Sequence, residues 1–282
     1  MISTNSFFIF SYPLGLLLFV VGMCFGSFLN VVIYRLPIIL LKKNNIDIEV
    51  TIEARDLLRL DNLSLISPRS FCPTCLTTLR WFENIPIISY FFLNGRCDSC
   101  TTPIRLRYPL IELLTGLLTV LLGFHFGITL KFFGSCIFVY ILISLCFIDL
   151  DNLLLPDLLT IPLIWIGLFV NSFDVFVNLI DAVYGAIFGY LILWFVFWIF
   201  KLFTGKNGFG YGDFKLLSAL GAWLGWVNLP MIILISSLLG SVVGLVLLTS
   251  KKITKDTLIP FGPYLIIATL FVMFVPRINI FI

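Results

Sequence analysis

Long runs of apolar residues occupy most of this 282-residue chain and decide what it can fold into. Nothing in the hydrocarbon of a bilayer can hydrogen-bond to free backbone groups, so a spanning segment is a helix of about 20 apolar residues. Eight segments meet this criterion, at approximately residues 9–34, 108–126, 130–148, 156–173, 176–203, 213–228, 230–250 and 260–276. We therefore predict an all-α polytopic membrane protein with about eight transmembrane helices.

The charge content excludes an ordinary water-soluble domain. Charged residues make up 12% of the chain, whereas a soluble domain carries about 25%. The net charge of +3 is too small to indicate a nucleic-acid partner. The N-terminal residues MISTNSFFIF lack the basic start of a secretory signal, so we expect the first apolar segment to be a retained membrane helix.

The basic residues predict the orientation of the helices, because loops rich in Lys and Arg stay on the cytoplasmic side. Sixteen of the eighteen basic residues fall at three junctions, after the first, fifth and seventh segments. With eight helices, all three junctions lie on one side of the membrane, which is then cytoplasmic, and both termini lie on the other side. Seven helices would scatter the same charges over both faces.

Residues 35–107, between the first two segments, contain four cysteines in two C-x-x-C pairs. The pairs are separated by 21 residues and consist of Cys72, Cys75, Cys97 and Cys100. This pattern is typical of four thiolates on one tetrahedral zinc ion. Four protein ligands leave no open position on the metal, so the expected zinc is structural. Redox-active thiols and unpaired cysteines are the alternative interpretations.

Two aspartates lie at matching depths in the predicted membrane segments. Asp149 ends the third segment and Asp213 opens the sixth, so both fall at the cytoplasmic edge of the bilayer. Acids inside membrane helices are costly and are commonly functional. Two close carboxylates share a proton, so that one can activate water while the other donates to the oxyanion or leaving amine. We therefore predict a catalytic pair of the aspartyl-protease type, without assigning the two roles.

Three glycines, Gly208, Gly210 and Gly212, precede Asp213. They remove side chains at a helix start, which would let an extended substrate approach the carboxylate. The alternative is a flexible helix entry that Asp213 caps.

Four further acids are weaker candidates. We expect Asp181, on the external side, to make an interhelical hydrogen bond rather than to act in catalysis. We expect Asp157 to be a first-turn residue placed against a helix dipole. Asp151 is expected to be solvated or to help orient Asp149. Glu112 is expected to be a paired or hydrogen-bonded group, with a role in substrate binding left open.

Six motifs occur in order along nearly the whole chain. They are GSFLNVVIYRLP, CPTC, ENIPIISYFFLNGRCDSC with IRLRYPLIELLTG, IDLDNLLLPDLLTIPLIW, GYGDFKLLSALGAWLGW and IPFGPYL. Together they resemble the type IV prepilin peptidases, the bifunctional leader peptidases and N-methyltransferases of pilus and type II secretion systems.

The resemblance implies that Asp149 and Asp213 are catalytic and that the four cysteines hold the metal. It implies prepilins and pseudopilins as substrates, cleaved after a glycine at the cytoplasmic face of the bacterial inner membrane. The new N-terminal residue, usually Phe, would then be methylated with S-adenosylmethionine. The expected domains are a first transmembrane helix at 1–34, a cytoplasmic loop with the zinc site and methyltransferase region at 35–107, and a seven-helix peptidase domain at 108–282.

The methyltransferase site is not readable from the residues, because the loop contains no glycine-rich cofactor fingerprint. The resemblance assigns this activity to the N-terminal region. There, the polar residues Ser27, Asn30 and Arg35 of the first-helix motif are guesses for its catalytic groups.

Other function classes explain part of the pattern. A transporter or channel would also place acids in membrane helices, although the chain shows no internal repeat. A scaffold that recruits partners through the zinc loop would leave the paired aspartates idle. A peptidase without methyltransferase activity is a third alternative.

Overall fold

The computed structural model describes residues 12–43, 63–72, 74–205, 210–250 and 259–275, which form nine α-helices. In chain order they are α1 (Tyr12–Lys43), α2 (Ile88–Phe92), α3 (Arg107–Phe126), α4 (Leu130–Asn152), α5 (Asp157–Asn171), α6 (Leu179–Thr204), α7 (Tyr211–Leu224), α8 (Leu229–Thr249) and α9 (Gly262–Phe274). Single 3-10 turns lie at Phe82–Asn84 and Trp226–Asn228.

All helices except the five-residue α2 coincide with the eight predicted apolar segments. Five of them, namely α1, α3, α4, α6 and α8 with its preceding 3-10 turn, are long and apolar enough to cross a membrane. The helices α5, α7 and α9 are shorter. The predicted all-α polytopic membrane fold is thereby confirmed.

The first helix is longer than the sequence predicts. It continues past residue 34 to Lys43, with Pro37 inside it. Proline removes one backbone donor from a helix and disfavours continuation. Here the helix continues because Arg35, Leu36 and Ile38 on either side of Pro37 are buried, so packing outweighs the local preference.

The chain divides into two compact units, Met1–Tyr140 and Ile141–Ile282, called unit 1 and unit 2 below. In unit 1, α1 packs closely on α3. A β-carbon at Gly22 would lie 2.8 Å from Cα of Gly116, and one at Gly26 would lie 2.8 Å from Cα of Glu112. Small residues spaced four apart allow such backbone contact between membrane helices.

In unit 2, α7 is buried along almost its whole length, from Asp213 to Leu224. It contacts α5, α6, α8 and α9. The helices α6 and α8 are in contrast mostly exposed, as expected of helices that face lipid. A short helix surrounded by others need not span the bilayer itself, which explains the length of α7.

The α6–α7 contact depends on two glycines. A β-carbon at Gly185 would lie 2.1 Å from the carbonyl oxygen of Gly221, and one at Gly221 would lie equally close to that of Gly185. The last turn of α7 is tied to α5. Asn171 donates to the carbonyls of Ala222 and Trp223 at 2.8 and 3.0 Å, which satisfies acceptors that a helix end leaves open.

We predict that Gly185→Ala lowers the stability of the protein by about 1–3 kcal/mol, the usual cost of overpacking. The direction of the change in stability is informative, because replacing Gly by Ala in a helix interior otherwise stabilises a protein by about 1 kcal/mol. Thermal unfolding of the detergent-purified chain measures the effect. Gly244→Ala is the matched control, since a β-carbon there meets only Ile259 Cδ1 at an ordinary 3.5 Å. Equal stability of both variants would contradict the close contact.

Candidate functional site

Asp149 lies in the last turn of α4, the most buried of the five long helices. It is 5% exposed. Its Oδ2 accepts a hydrogen bond of 3.0 Å from the backbone N–H of Gly262, at the start of α9. A β-carbon at Gly262 would lie 2.6 Å from the same oxygen, so the contact requires glycine. The start of α9 therefore holds the Asp149 carboxylate.

Asp213 lies in the first turn of α7 and is 7% exposed. Its Oδ2 accepts a hydrogen bond of 3.1 Å from the backbone N–H of Gly210, the residue before the helix. Asp213 therefore caps α7, while it also stays buried. Of the three glycines named from the sequence, Gly208 lies outside the described residues.

The structure brings Asp149 and Asp213 close enough for their charges to interact, although they are 64 residues apart in sequence. Leu155 contacts Gly212, the residue before Asp213, and Gly262, whose N–H donates to Asp149. Its Cβ would lie 2.7 Å from a β-carbon at Gly212, and its Cδ2 would lie 3.4 Å from one at Gly262. Two buried carboxylates, each held by one backbone N–H, form an arrangement that can share a proton and activate water.

The weaker acidic candidates do not belong to this buried pair. Asp157 is the first residue of α5, and its Oδ1 pairs with Lys215 Nζ at 2.6 Å. Asp151 is exposed. The expectation that Glu112 is hydrogen-bonded is confirmed, since its Oε2 accepts 2.8 Å from the N–H of Ile87.

The four cysteines of the loop form one cluster in unit 1. Their sulfur atoms all lie within 4.8 Å of one another. Cys72 and Cys100 are 3.8 Å apart at Sγ, and Cys75 and Cys97 are 4.0 Å apart. Tetrahedral coordination with metal–sulfur bonds of about 2.3 Å requires sulfur separations of about 3.8 Å. The cluster therefore has the donor set and spacing to hold a metal ion.

Each cysteine pair lies in its own turn, and the two turns have the same backbone hydrogen-bond pattern. In the first, the N–H of Cys72 donates to Thr77 O at 3.0 Å. In the second, the N–H of Cys97 donates to Thr102 O, also at 3.0 Å. A short antiparallel bridge closes each turn, Phe71 with Thr78 and Arg96 with Pro103. The two turns present their sulfurs in matching ways.

The environments of the thiols differ within the cluster. Hydrogen bonds from the hydroxyl and backbone of Thr102 lower the pKa of the Cys100 thiol to about 6. Burial raises the pKa of the Cys72 thiol to about 11. Metals bind thiolates, so the charge of a bound cation would offset the cost of ionising Cys72.

A cavity of about 230 Å³ lies in unit 1 between α1, α3 and the cysteine loop. It is lined by the three methyltransferase candidates of the first-helix motif, Ser27, Asn30 and Arg35. Asn30 donates to Tyr108 O at 3.1 Å. Arg35 is 4% exposed and donates to the backbone carbonyls of Ser64 and Arg69 at 3.0 and 3.3 Å.

Sequence reasoning gave no role to Gly262, although it named the motif IPFGPYL that contains it. The available signal is the position of this glycine between Pro260 and Pro263, which restricts the backbone at the helix start. Its partner Asp149 is 113 residues away, so the contact itself was not readable from the motif.

Family comparisons cover most of the chain. Residues 20–126 match the bacterial peptidase A24 N-terminal domain, and residues 136–245 match the type IV leader peptidase family. No solved structure gives a significant match.

Several curated relatives are called prepilin leader peptidase/N-methyltransferase. One from Pseudomonas aeruginosa is 47% identical over 92% of this chain and 90% of the relative. One from Aeromonas hydrophila is 48% identical over 89% and 87%, respectively. One from Legionella pneumophila is 45% identical over 94% and 93%.

We predict that the purified chain carries one divalent metal ion and that Cys72→Ser or Cys97→Ser removes most of it, because a hydroxyl replaces a buried thiolate ligand. Elemental analysis by mass spectrometry, with protein quantified in the same sample, measures the ratio. Cys24→Ser is the control, since this thiol is exposed on α1 and far in sequence from the cluster. Equal metal content in all three variants would contradict the site.

Proposed function

Because the chain belongs to the type IV leader peptidase family, we propose that it cleaves the leader peptides of prepilins and pseudopilins and then N-methylates the new N-terminal residue. The observation that carries the proposal is the pair of buried carboxylates, Asp149 and Asp213. Each carboxylate is buried and hydrogen-bonded, and the two lie close enough for their charges to interact. This arrangement suits hydrolysis of a peptide bond at the end of a membrane helix.

The proposed hydrolysis uses the two carboxylates as a coupled acid and base. Oδ2 of each accepts from a backbone N–H, of Gly262 and of Gly210. This leaves Oδ1 of each for water and for the shared proton. The ionised carboxylate takes a proton from the attacking water, and the protonated one donates to the oxyanion or leaving amine. Either aspartate can start in either role.

The cleaved strand would approach Asp213 where side chains are missing. Gly210 is extended, with φ −82° and ψ 147°, and Gly212 follows it. An extended leader peptide can come close to a backbone of this kind. The hydrophobic segment of the pilin would continue from the cleaved bond into lipid.

For the cysteine cluster we propose a structural zinc ion held by Cys72, Cys75, Cys97 and Cys100. Thiolates at this spacing favour zinc, and four protein ligands leave no position for a substrate. Between α1 and α3, the described part of the loop has only isolated bridges, one 3-10 turn and one five-residue helix, so the metal would supply much of its folding free energy. The proposed role is to fold the methyltransferase region.

The proposed methyl donor is S-adenosylmethionine, which supplies an activated methyl group when bound. The cavity of unit 1 fits a ligand with both polar and apolar parts, because buried polar groups and aromatic rings line it together. The proposed organisation keeps the sequence-based division into a first transmembrane segment at 1–34, a loop region at 35–107 and a peptidase domain at 108–282, although α1 itself continues to Lys43.

The proposed location is the bacterial inner membrane, with the active site on the cytoplasmic side. The clustering of Lys and Arg at alternate junctions supports this orientation. Lys215, two residues after Asp213, belongs to one of these junctions.

We predict that Asp149→Asn and Asp213→Asn each slow leader cleavage by about 10²–10⁴-fold, the usual contribution of a positioned acid or base. The assay is co-expression with a tagged prepilin, read by gel shift and by the mass of the new N-terminus. Asp174→Asn is the matched control, because it makes the same change in an exposed turn. Cleavage at the wild-type rate in either variant would contradict the assignment of that aspartate as catalytic and would make Asp151 or Asp157 the next candidate.

We predict that Gly262→Ala slows cleavage by about 10²-fold without unfolding the chain, because displacement of a reacting group by about 1 Å has this effect. The added β-carbon would push the Asp149 carboxylate out of place. The measurements are the same cleavage assay and thermal unfolding, with Gly244→Ala as the control. Full activity in Gly262→Ala, beside an inactive Asp149→Asn, would show that the N–H of Gly262 does not position the carboxylate.

A further inference from the structure

Glu112 is a buried carboxylate that the proposed hydrolysis does not use. It lies in the second turn of α3 and is 8% exposed. In the part of the chain that the structure describes, its partners are the backbone N–H of Ile87, at 2.8 Å, and the hydroxyl of Ser27. Both partners are neutral donors. A buried carboxylate with neutral partners attracts a cationic ligand, because burial of an unpaired charge is costly.

One contact fixes the backbone of Glu112, and a second fixes its carboxylate. Gly26 of α1 packs against the backbone of Glu112, since a β-carbon on Gly26 would lie 2.8 Å from Cα of Glu112. On the loop side, Ile87 has φ 59° and ψ −48°, a conformation that a β-branched residue adopts only when its surroundings enforce it. Its N–H points at the Glu112 carboxylate. The group is thus held from both α1 and the loop.

The carboxylate faces the cavity of unit 1. Besides Glu112 and Ser27, aromatic side chains line this space, among them Phe71, Tyr90 and Tyr108. Aromatic faces and a carboxylate together recognise an organic cation with an attached apolar group. The α-ammonium group of a chain that begins with Phe has this chemistry.

We propose that this cavity binds the α-ammonium group of the cleaved pilin and that Glu112 is the residue that receives it. The proposal rests on the proposed function for the methyl-transfer step. Glu112 accepts one proton from the ammonium, which frees the nitrogen lone pair. The nitrogen then bonds to the methyl carbon while the carbon–sulfur bond of the donor breaks. That bond's electron pair stays on sulfur, and the product is an N-methylammonium group.

The donor of the methyl group is also a cation, and the position of Glu112 along α3 favours the pilin amine over the donor. Glu112 is the sixth residue of α3, about 8 Å along the helix from its start at 1.5 Å per residue. The N-terminus of a cleaved pilin continues directly into an apolar helix, so it would reach a carboxylate within an apolar helix more readily than a water-soluble donor would. A water-soluble donor enters from the loop side, where Arg35 and the cysteine turns line the cavity.

The test compares the full chain with Glu112→Gln in detergent, using a peptide with the N-terminal sequence of a mature pilin. Binding is measured without methyl donor, for the peptide with a free amine and for the same peptide N-acetylated. We expect the unmodified chain to prefer the free amine by about 10-fold or more and Glu112→Gln to lose the preference. Binding of S-adenosylmethionine alone should be unchanged.

Activity measurements accompany the binding data. Glu112→Gln should cleave prepilin normally but methylate it at least about 10²-fold more slowly, and Glu112→Asp should restore part of the methylation. Asp174→Asn is again the control for loss of one acid. The binding preference of the unmodified chain is independent of how any variant folds.

Several results would overturn the inference. The first is equal binding of both peptides by the wild-type chain. The second is normal methylation by Glu112→Gln. The third is that Glu112→Gln loses binding of S-adenosylmethionine but keeps the preference for the free amine. Loss of cleavage together with methylation would make Glu112 a structural residue. Failure of the unmodified chain to cleave or methylate any prepilin would refute the proposed function itself, which is a distinguishable outcome.

Discussion

Backbone contact between glycine-bearing helices is the constraint on which unit 2 depends. Gly185 and Gly221 bring α6 against α7 with no side chain between them. Over most of its length α7 is buried among four helices, and Asp213 is buried in its first turn. A carboxylate at the same sequence position on a loosely packed helix would be solvated, and its proton chemistry would be that of water-exposed aspartate.

Sequence reasoning works well here where one physical rule acts on consecutive residues. The thickness of the bilayer hydrocarbon predicts the eight apolar segments, and the C-x-x-C spacing predicts that Cys72 clusters with the other three cysteines. It misses contacts that join distant elements, such as the N–H of Gly262 on Asp149 or the side chain of Asn171 on the end of α7. These contacts depend on three-dimensional packing, which no local pattern encodes. The extension of α1 through Pro37 has the same cause, since packing there outweighs a local preference.

Each unit contains one distinct set of chemical groups. Unit 2 has two acids held by backbone donors and enclosed by apolar helices, a set suited to moving protons during hydrolysis. Unit 1 has a cysteine cluster, a cavity and one acid held by neutral donors, a set suited to binding. Peptide cleavage produces a free α-amine, which is the nucleophile that methylation needs. The order of the two proposed reactions therefore follows from their chemistry, whatever path the cleaved chain takes between them.

The contact of α1 with α3 has a mechanical consequence. Gly22 and Gly26 rest on the backbone of α3, and backbone atoms in contact cannot be compressed or rotated away as flexible side chains can. Helices in bilayers of different thickness adjust by tilting. These two helices must tilt together as one rigid body, so the separation of Ser27 from Glu112 stays constant. The side of the cavity that Ser27 and Glu112 line is thereby protected from changes in lipid composition that would distort a site between loosely packed helices.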